Sequence, residues 1–250
     1  MPIRLGVVID DESLLRAAKR GDPVDAVVLR STFLNPPRAA AARRIAERIH
    51  EIHPGAELIP YAWHYLTHEP GDGIVVGSNR SLEESARSYG HLRGDARDHV
   101  WSITKLCAEA MGAKHVVVRT PPSFSPGSLS RRRFTTFVES LGDDDPKLLW
   151  EPEGLWTTAQ AAFFAIELDV EIVAPAFAMT GQLLEFAGAN WLRISGSKDA
   201  RLRSSHAEIL ADALIEVADE LEEDEALTLL FDGPRAYVNL RAFARALATA

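Results

Sequence analysis

Charged and polar side chains close almost every short apolar run in this sequence. Asp10 follows RLGVVI, Arg30 and Thr32 follow DAVVL, and His64 follows ELIPYAW. Arg119 ends KHVVVR, Glu151 and Glu153 end KLLWEPE, Arg193 and Ser195 end NWLRIS, and Asp232 ends LTLLFD. Arg30, Arg119 and Arg193 present planar guanidinium groups, whose fixed donor geometry suits phosphate, carboxylate or nucleotide oxygens. The opposing reading pairs each arginine with Glu151, Glu153 or Asp232 in a structural ion network, an arrangement that also occurs without function.

Carboxylates and histidines add proton and metal chemistry. Glu151 is read as a general acid or base. Glu151 and Glu153 share strand parity, so their side chains stand about 7 Å apart, near the separation used in glycoside hydrolysis. Pro152 and Gly154 argue instead that the strand ends there and Glu153 turns to solvent. His64 and His68, with Glu69, Glu151 and Asp232, are the ligand types of a divalent metal site. The His64-x-x-x-His68 spacing straddles a strand end and a loop, so no metal ligands are assigned. His50, His53, His91, His99, His115 and His206 fall in helical or strand-start sequence and are read as structural or solvated. No phosphate loop, dinucleotide glycine fingerprint or nucleophile-elbow motif occurs.

Positioning these groups requires elements, and the chain alternates them. We read eight strands, Arg4–Asp10, Asp25–Thr32, Glu57–Trp63, Lys114–Thr120, Lys147–Glu151, Glu171–Pro175, Asn190–Ser195 and Leu227–Asp232, each followed by helical sequence. That alternation predicts an α/β protein, a single (β/α)8 TIM-type barrel over residues 1–250, with its active site at the C-terminal ends of the strands. Within a strand, Arg119 has the parity of Val117, Arg193 that of Trp191 and Ser195, and Glu151 that of Leu149, which aims these charges at the barrel mouth. Pro36-Pro37 precedes one helix and Pro54-Gly55 stops it, while Ser204 or Ser205 is read as a cap. Between Ser81 and Gly112 there is room for two helices, broken near Gly90 and Gly94. The loop GDGIVVGSN follows the third strand. SRRRF and ELEEDE read as solvated faces, and Trp63, Trp150, Trp156 and Trp191 as packing.

Composition agrees with an ordinary globular chain: 250 residues, 46% hydrophobic and 25% charged. A net charge of −9 from 36 acidic and 27 basic residues gives no support to a duplex nucleic-acid binder. Cys107 is the single cysteine and lies in helical sequence, so no internal disulfide forms. No leader-like or membrane-spanning run is seen, and the expected location is the cytoplasm.

Several segments together resemble the YecE-like family, known as domain of unknown function 72 (DUF72). STFLNPP is similar to its NSTFYRLP, YAWHYLTH to its K-x-x-x-Y-x-T-H, and TPPSF to its Q-x-PPSF. WEPEGLW resembles E-F-R-H-x-S-W, WLRISG resembles Y-x-R-x-H-G, and LLFDGPRAYVNLRA its Y-F-N-N and A-x-x-N-A segments. The order holds across nearly the whole chain. Thr67, His68, Glu151, Trp156, Arg193, Gly196 and Asn239 keep the family's residue, which adds His68 as a catalytic candidate and Asn239 as a ligand-binding one. Val28, Arg30, Leu34, Glu153, Gly154 and Ser195 depart from it, so this chain resembles a divergent member. The resemblance implies the barrel and leaves the reaction and any cofactor unassigned.

The expected function is binding of a small anionic ligand at the barrel mouth by Arg30, Arg119, Arg193, Ser195, His64, Asp232 and Asn239, with Glu151 and His68 as catalytic groups. A metal-dependent hydrolase or isomerase using Glu151, His68 and Asp232, and a non-catalytic scaffold whose mouth charges neutralise one another, are the alternatives.

Overall fold

The structure, a computed structural model, describes residues 3–72, 89–94, 96–177, 189–195, 202–219, 221 and 225–250. Eight parallel strands alternate with helical segments in the order of a (β/α)8 TIM-type barrel. They are β1 Ile3–Ile9, β2 Ala26–Leu29, β3 Glu57–Pro60, β4 His115–Arg119, β5 Lys147–Glu151, β6 Glu171–Pro175, β7 Trp191–Ser195 and β8 Leu227–Asp232. The sheet runs β3-β2-β1-β8-β7-β6-β5-β4, and a parallel bridge from Tyr61 to Val117 joins the chain just after β3 to β4. The helices are the single turn α1 Ser31–Leu34, α2 Ala39–Ile52, α3 Ala96–Met111, α4 Ser128–Glu139, α5 Thr158–Ile166, α6 Ser204–Ala218 and α7 Ala236–Leu247.

The chain divides into two compact units, one of residues 1–28, 47–57 and 173–250, the other of residues 29–46 and 58–172. In the first, β1 pairs with β8 from Ile3↔Leu227 to Val7↔Phe231, and β7 pairs with β8 from Trp191↔Thr228 to Ser195↔Asp232. Near-continuous apolar strands such as LTLLF are what a parallel sheet covered on both faces demands. Val7, Leu192, Leu229 and Phe231 are accordingly buried, and Phe231 packs on Phe243 of α7 at 5.8 Å between ring centroids. Gly6 is required in β1, since a Cβ there would lie 2.7 Å from Leu230 and 2.9 Å from the Ala26 carbonyl. In the second unit β4 and β5 pair in register from His115↔Lys147 to Arg119↔Glu151. Their core is aromatic: Trp150 meets Phe134 of α4 at 4.8 Å and Trp156 at 4.8 Å, and Trp156 stacks on Phe164 of α5 at 5.7 Å.

Several local expectations are corrected. β2 stops at Leu29, before Arg30 and Thr32, because the chain turns into α1 and the Thr32 hydroxyl sits 2.8 Å from the Leu29 carbonyl. The segment after β1 forms a six-residue 3-10 helix, Glu12–Ala17, rather than a full α-helix. Arg203, in extended conformation, is the N-cap of α6, so neither Ser204 nor Ser205 caps it. His91 lies in a turn, with positive φ. Arg131, from the basic run SRRRF, lies over the Trp156 and Phe164 rings at 5.1 and 4.8 Å. The break foreseen near Gly90 and Gly94 is present, both residues having positive φ. Residues 73–80 of the glycine-containing loop, the first of the two helices foreseen in 81–112, most of the acidic run 220–225 and Gly196 lie outside the described residues. Among the described residues no helix is long and apolar enough to cross a membrane.

Candidate functional site

The second unit gathers the carboxylate, arginine and histidine candidates at the C-terminal ends of β4 and β5. Register places Arg119 directly beside Glu151. The Glu151 side chain is buried, and the Tyr61 hydroxyl donates to its Oε2 at 2.5 Å. Arg119 Nε stands 3.8 Å from Glu151 Oε1 and donates to Glu153 Oε1 at 2.9 Å. The same Glu153 oxygen also takes Arg119 Nη2. Two carboxylates thus flank one guanidinium, and Glu153 is turned back to Arg119 where Pro152 and Gly154 had suggested solvent. Arg119 Nη1 meets no acceptor among the described residues. The Phe33 ring lies under the guanidinium, 5.7 Å away.

α1 brings Phe33 to this place, and Thr32 fixes the turn: its Oγ1 accepts from Tyr61 N at 2.8 Å and lies 2.9 Å from the Tyr61 carbonyl. Phe33 is an edge partner of His68 at 5.0 Å and lies 5.8 Å from His64. The two histidines sit on a 3-10 turn, His64–Leu66, with His68 N donating to the His64 carbonyl at 2.8 Å. His64 Nδ1 donates to the Phe33 carbonyl at 3.0 Å, and burial, only partly opposed by that bond, lowers its pKa.

The tautomer of His68 follows from one hydroxyl. Thr67 Oγ1 donates its only proton to the Arg119 carbonyl at 2.6 Å, so the 2.8 Å contact with His68 must use an Nδ1–H of the ring. Nε2 then carries the lone pair. Burial, reinforced by the nearby Arg119 cation and only partly opposed by Asp72, pushes the His68 pKa down to about 4. At neutral pH His68 is therefore a neutral base of fixed orientation.

The remaining candidates are placed as follows. Arg30 is half-buried as N-cap of α1. In the first unit, Arg193 of β7 is half-buried and lies in register with Pro175 and Leu230, while exposed Ser195 pairs in register with buried Asp232. Asn239, buried on α7, accepts the Leu202 N–H at 3.0 Å through Oδ1. Asp10 is exposed beyond β1. Arg193 thus belongs to one unit and Arg30 and Arg119 to the other. No group of three or more His, Cys, Asp or Glu side chains that could hold a metal ion occurs among the described residues. Sequence reasoning missed Tyr61 and Phe33 as members of the site. The available signal for Tyr61 was its parity with Ile59 in the run ELIPYAW. Phe33 gave none, because it falls just past the run Asp25–Thr32 that was read as strand and the turn of α1 was not foreseen.

These features define a TIM-barrel protein with a buried Tyr61–Glu151 pair beside a half-buried Arg119 at its strand ends. No family model matches the sequence, and no curated protein matches it. Among solved structures the chain is similar to two DUF72 family proteins. One, from Enterococcus faecalis V583, has a TM-score of 0.64 at 10% identity, covering 99% of this chain and 96% of that one. The other, from Thermotoga maritima MSB8, has a TM-score of 0.61 at 13% identity, covering 99% and 100%. D-psicose 3-epimerase, solved in the presence of D-fructose, has a TM-score of 0.57 at 10% identity, covering 96% and 90%. The fold is that of these proteins, in agreement with the DUF72 resemblance of the sequence.

Proposed function

We propose that the chain is a divergent DUF72 (YecE-like) barrel that binds a small oxygen-rich ligand carrying a phosphate or carboxylate at the C-terminal ends of β4 and β5. The observation that carries this reading is Arg119. Its guanidinium is oriented by Glu153 and by the Phe33 ring, while Nη1 stays uncommitted among the described residues. A guanidinium held in this way loses little conformational freedom when it meets an anionic oxygen. Glu151, holding the Tyr61 hydroxyl, then accepts a ligand hydroxyl or moves its proton, and the Nε2 lone pair of His68 is the second base. The whole chain acts as one domain, and Arg30, Arg193, Ser195, His64, Asp232 and Asn239 are secondary candidates for ligand contact.

A neutral polyol is the second reading, because two carboxylates beside one guanidinium leave a local charge of −1 that opposes an anion. A thermal-shift screen comparing D-fructose 6-phosphate, adenosine monophosphate and inorganic phosphate with D-fructose separates the two. A ligand at 100 times its Kd stabilises by about 2.7 kcal/mol. Shifts with the phosphate compounds alone support the first reading, a shift with fructose alone the second, and no shift with any of them contradicts both.

A further inference from the structure

A different set of side chains in the second unit, none of them part of the ligand site proposed above, has the hydrogen-bond pattern of a nucleophilic serine. Ser123 Oγ lies 2.9 Å from His91 Nε2, and His91 Nδ1 lies 3.0 Å from Glu69 Oε1. The serine is thus on one ring nitrogen and the carboxylate on the other: with Nδ1–H donated to Glu69, Nε2 takes the serine proton once the hydroxyl turns from Asp72 to the ring. Ser123 is exposed among the described residues, whereas His91 is largely covered and edges onto the Phe124 ring at 5.7 Å.

Both supporting loops are tied down by hydrogen bonds. Ser123 stands in the turn TPPSF, where Phe124 N donates to the Pro121 carbonyl at 2.9 Å and the Phe124 carbonyl accepts from Trp156 Nε1 at 2.7 Å. Phe124 is fully buried. His91 is held in a left-handed conformation, φ 48°, between Gly90 at φ 85° and Leu92 at φ 54°. Three successive residues of this kind persist only where surroundings enforce them, and such strain gathers at functional sites. Here the N–H groups of Gly90, His91 and Leu92 donate to the carbonyls of Tyr65, Thr67 and Leu66 at 3.0, 2.8 and 3.0 Å. A Cβ on Gly90 would come within 2.6 Å of the His68 backbone, so only glycine lets His91 reach Ser123. Glu69 is steadied by Arg93 Nη2 at 2.7 Å. Asp72 accepts from Ser123 at 2.5 Å and places Oδ2 3.6 Å from His91 Nε2, a second negative charge beside the imidazolium that forms.

We propose that Ser123, His91 and Glu69 form an acyl-transfer site for carboxylic esters. Ser123 Oγ attacks the ester carbonyl carbon while its proton passes to His91 Nε2. The C–O bond then breaks, the alcohol leaves with that proton, and an acyl-Ser123 ester remains. Water attacks this ester, giving its proton to His91, which returns it to Ser123 Oγ as the carboxylic acid departs. Ser123 and His91 are catalytic, Glu69 is a positioning residue, and Asp72 competes for the serine proton in the resting state.

The test uses the full chain with a fluorophosphonate probe, read by intact mass and peptide mapping, and with p-nitrophenyl acetate. One label on Ser123 is expected, absent in Ser123→Ala and formed at least a hundredfold more slowly in His91→Gln, with unfolding midpoints unchanged for the exposed Ser123 variant. Glu69→Gln lowers kcat for the acetate about tenfold with KM unchanged, and Asp72→Asn labels at least as fast as the parent chain. No label on Ser123, or equal labelling rates in the parent and His91→Gln chains, overturns the proposal.

Discussion

Glu153→Gln is the substitution that most sharply separates a ligand-binding Arg119 from a structural one. Glu153 holds Arg119 through Nε and Nη2, and both side chains are about a quarter to a third exposed. Its charge opposes any anion that the guanidinium receives. Removing that charge while keeping an oxygen acceptor is expected to tighten binding of a phosphate ester several-fold, about 1 kcal/mol, as titration calorimetry reads. Unchanged affinity would mean that the arginine serves the ion network alone. Tyr61→Phe removes the hydroxyl from a buried carboxylate and is expected to cost about 1–3 kcal/mol in denaturant unfolding. His68 supplies a pH signature. Its folded-state pKa is about 4, below the unfolded 6.5, so the unfolded chain binds the proton first as pH falls. Stability is full above about pH 6.5, declines toward pH 4 and levels below it, a total of about 3 kcal/mol. His53 and His64 shift in the same direction, through burial. The gap between urea midpoints at pH 7 and pH 4.5 should therefore narrow in His68→Asn, and an unaltered gap would contradict the burial of a neutral His68. At this scale strand-end residues such as Arg119 and Glu151 were legible because parity and apolar flanks locate them. Ser123 and His91 were not, since they meet across 32 positions through two loops.

Elements were legible where composition left one choice. β5, β6 and β8 run over the residues that the sequence assigns, each a short apolar run between turn residues. β2 and β3 end early for local reasons. Thr32 bonds back to Leu29 and turns the chain, and Pro60 offers no N–H to extend a ladder. The loop ends are pinned by packing that no single-residue pattern reveals. Gly154 has φ 77°, and a Cβ there would meet Pro122 Cα at 2.6 Å. Gly154→Ala is thus expected to cost about 1–3 kcal/mol and to displace the TPPSF turn, lowering both the unfolding midpoint and fluorophosphonate labelling of Ser123. Trp156→Ala removes a ring stacked on Phe164, crossing Trp150 and bonded to the Phe124 carbonyl. Large-to-small changes of this kind cost about 3–5 kcal/mol, and a thermal unfolding midpoint within a degree or two of the parent would contradict the packing described.

For the whole molecule, eight alternating strand and helix signals carried the fold, and the solved structures that share it do so at 10 to 13% identity. Such likeness reflects the layer pattern, which many sequences satisfy, whereas a site depends on a few side chains and on which loops meet. The proposed anion site is accordingly local, built on Arg119 and Glu151, which are adjacent in register on β4 and β5. Titration calorimetry of the parent chain, Arg119→Gln and Glu153→Gln with D-fructose 6-phosphate and with D-fructose tests it most directly. The phosphate ester is expected to bind the parent chain, to bind at least tenfold more weakly to Arg119→Gln and more tightly to Glu153→Gln, with fructose binding far more weakly throughout. Equal affinity of the phosphate ester for the parent chain and Arg119→Gln, or no binding to either, would contradict it.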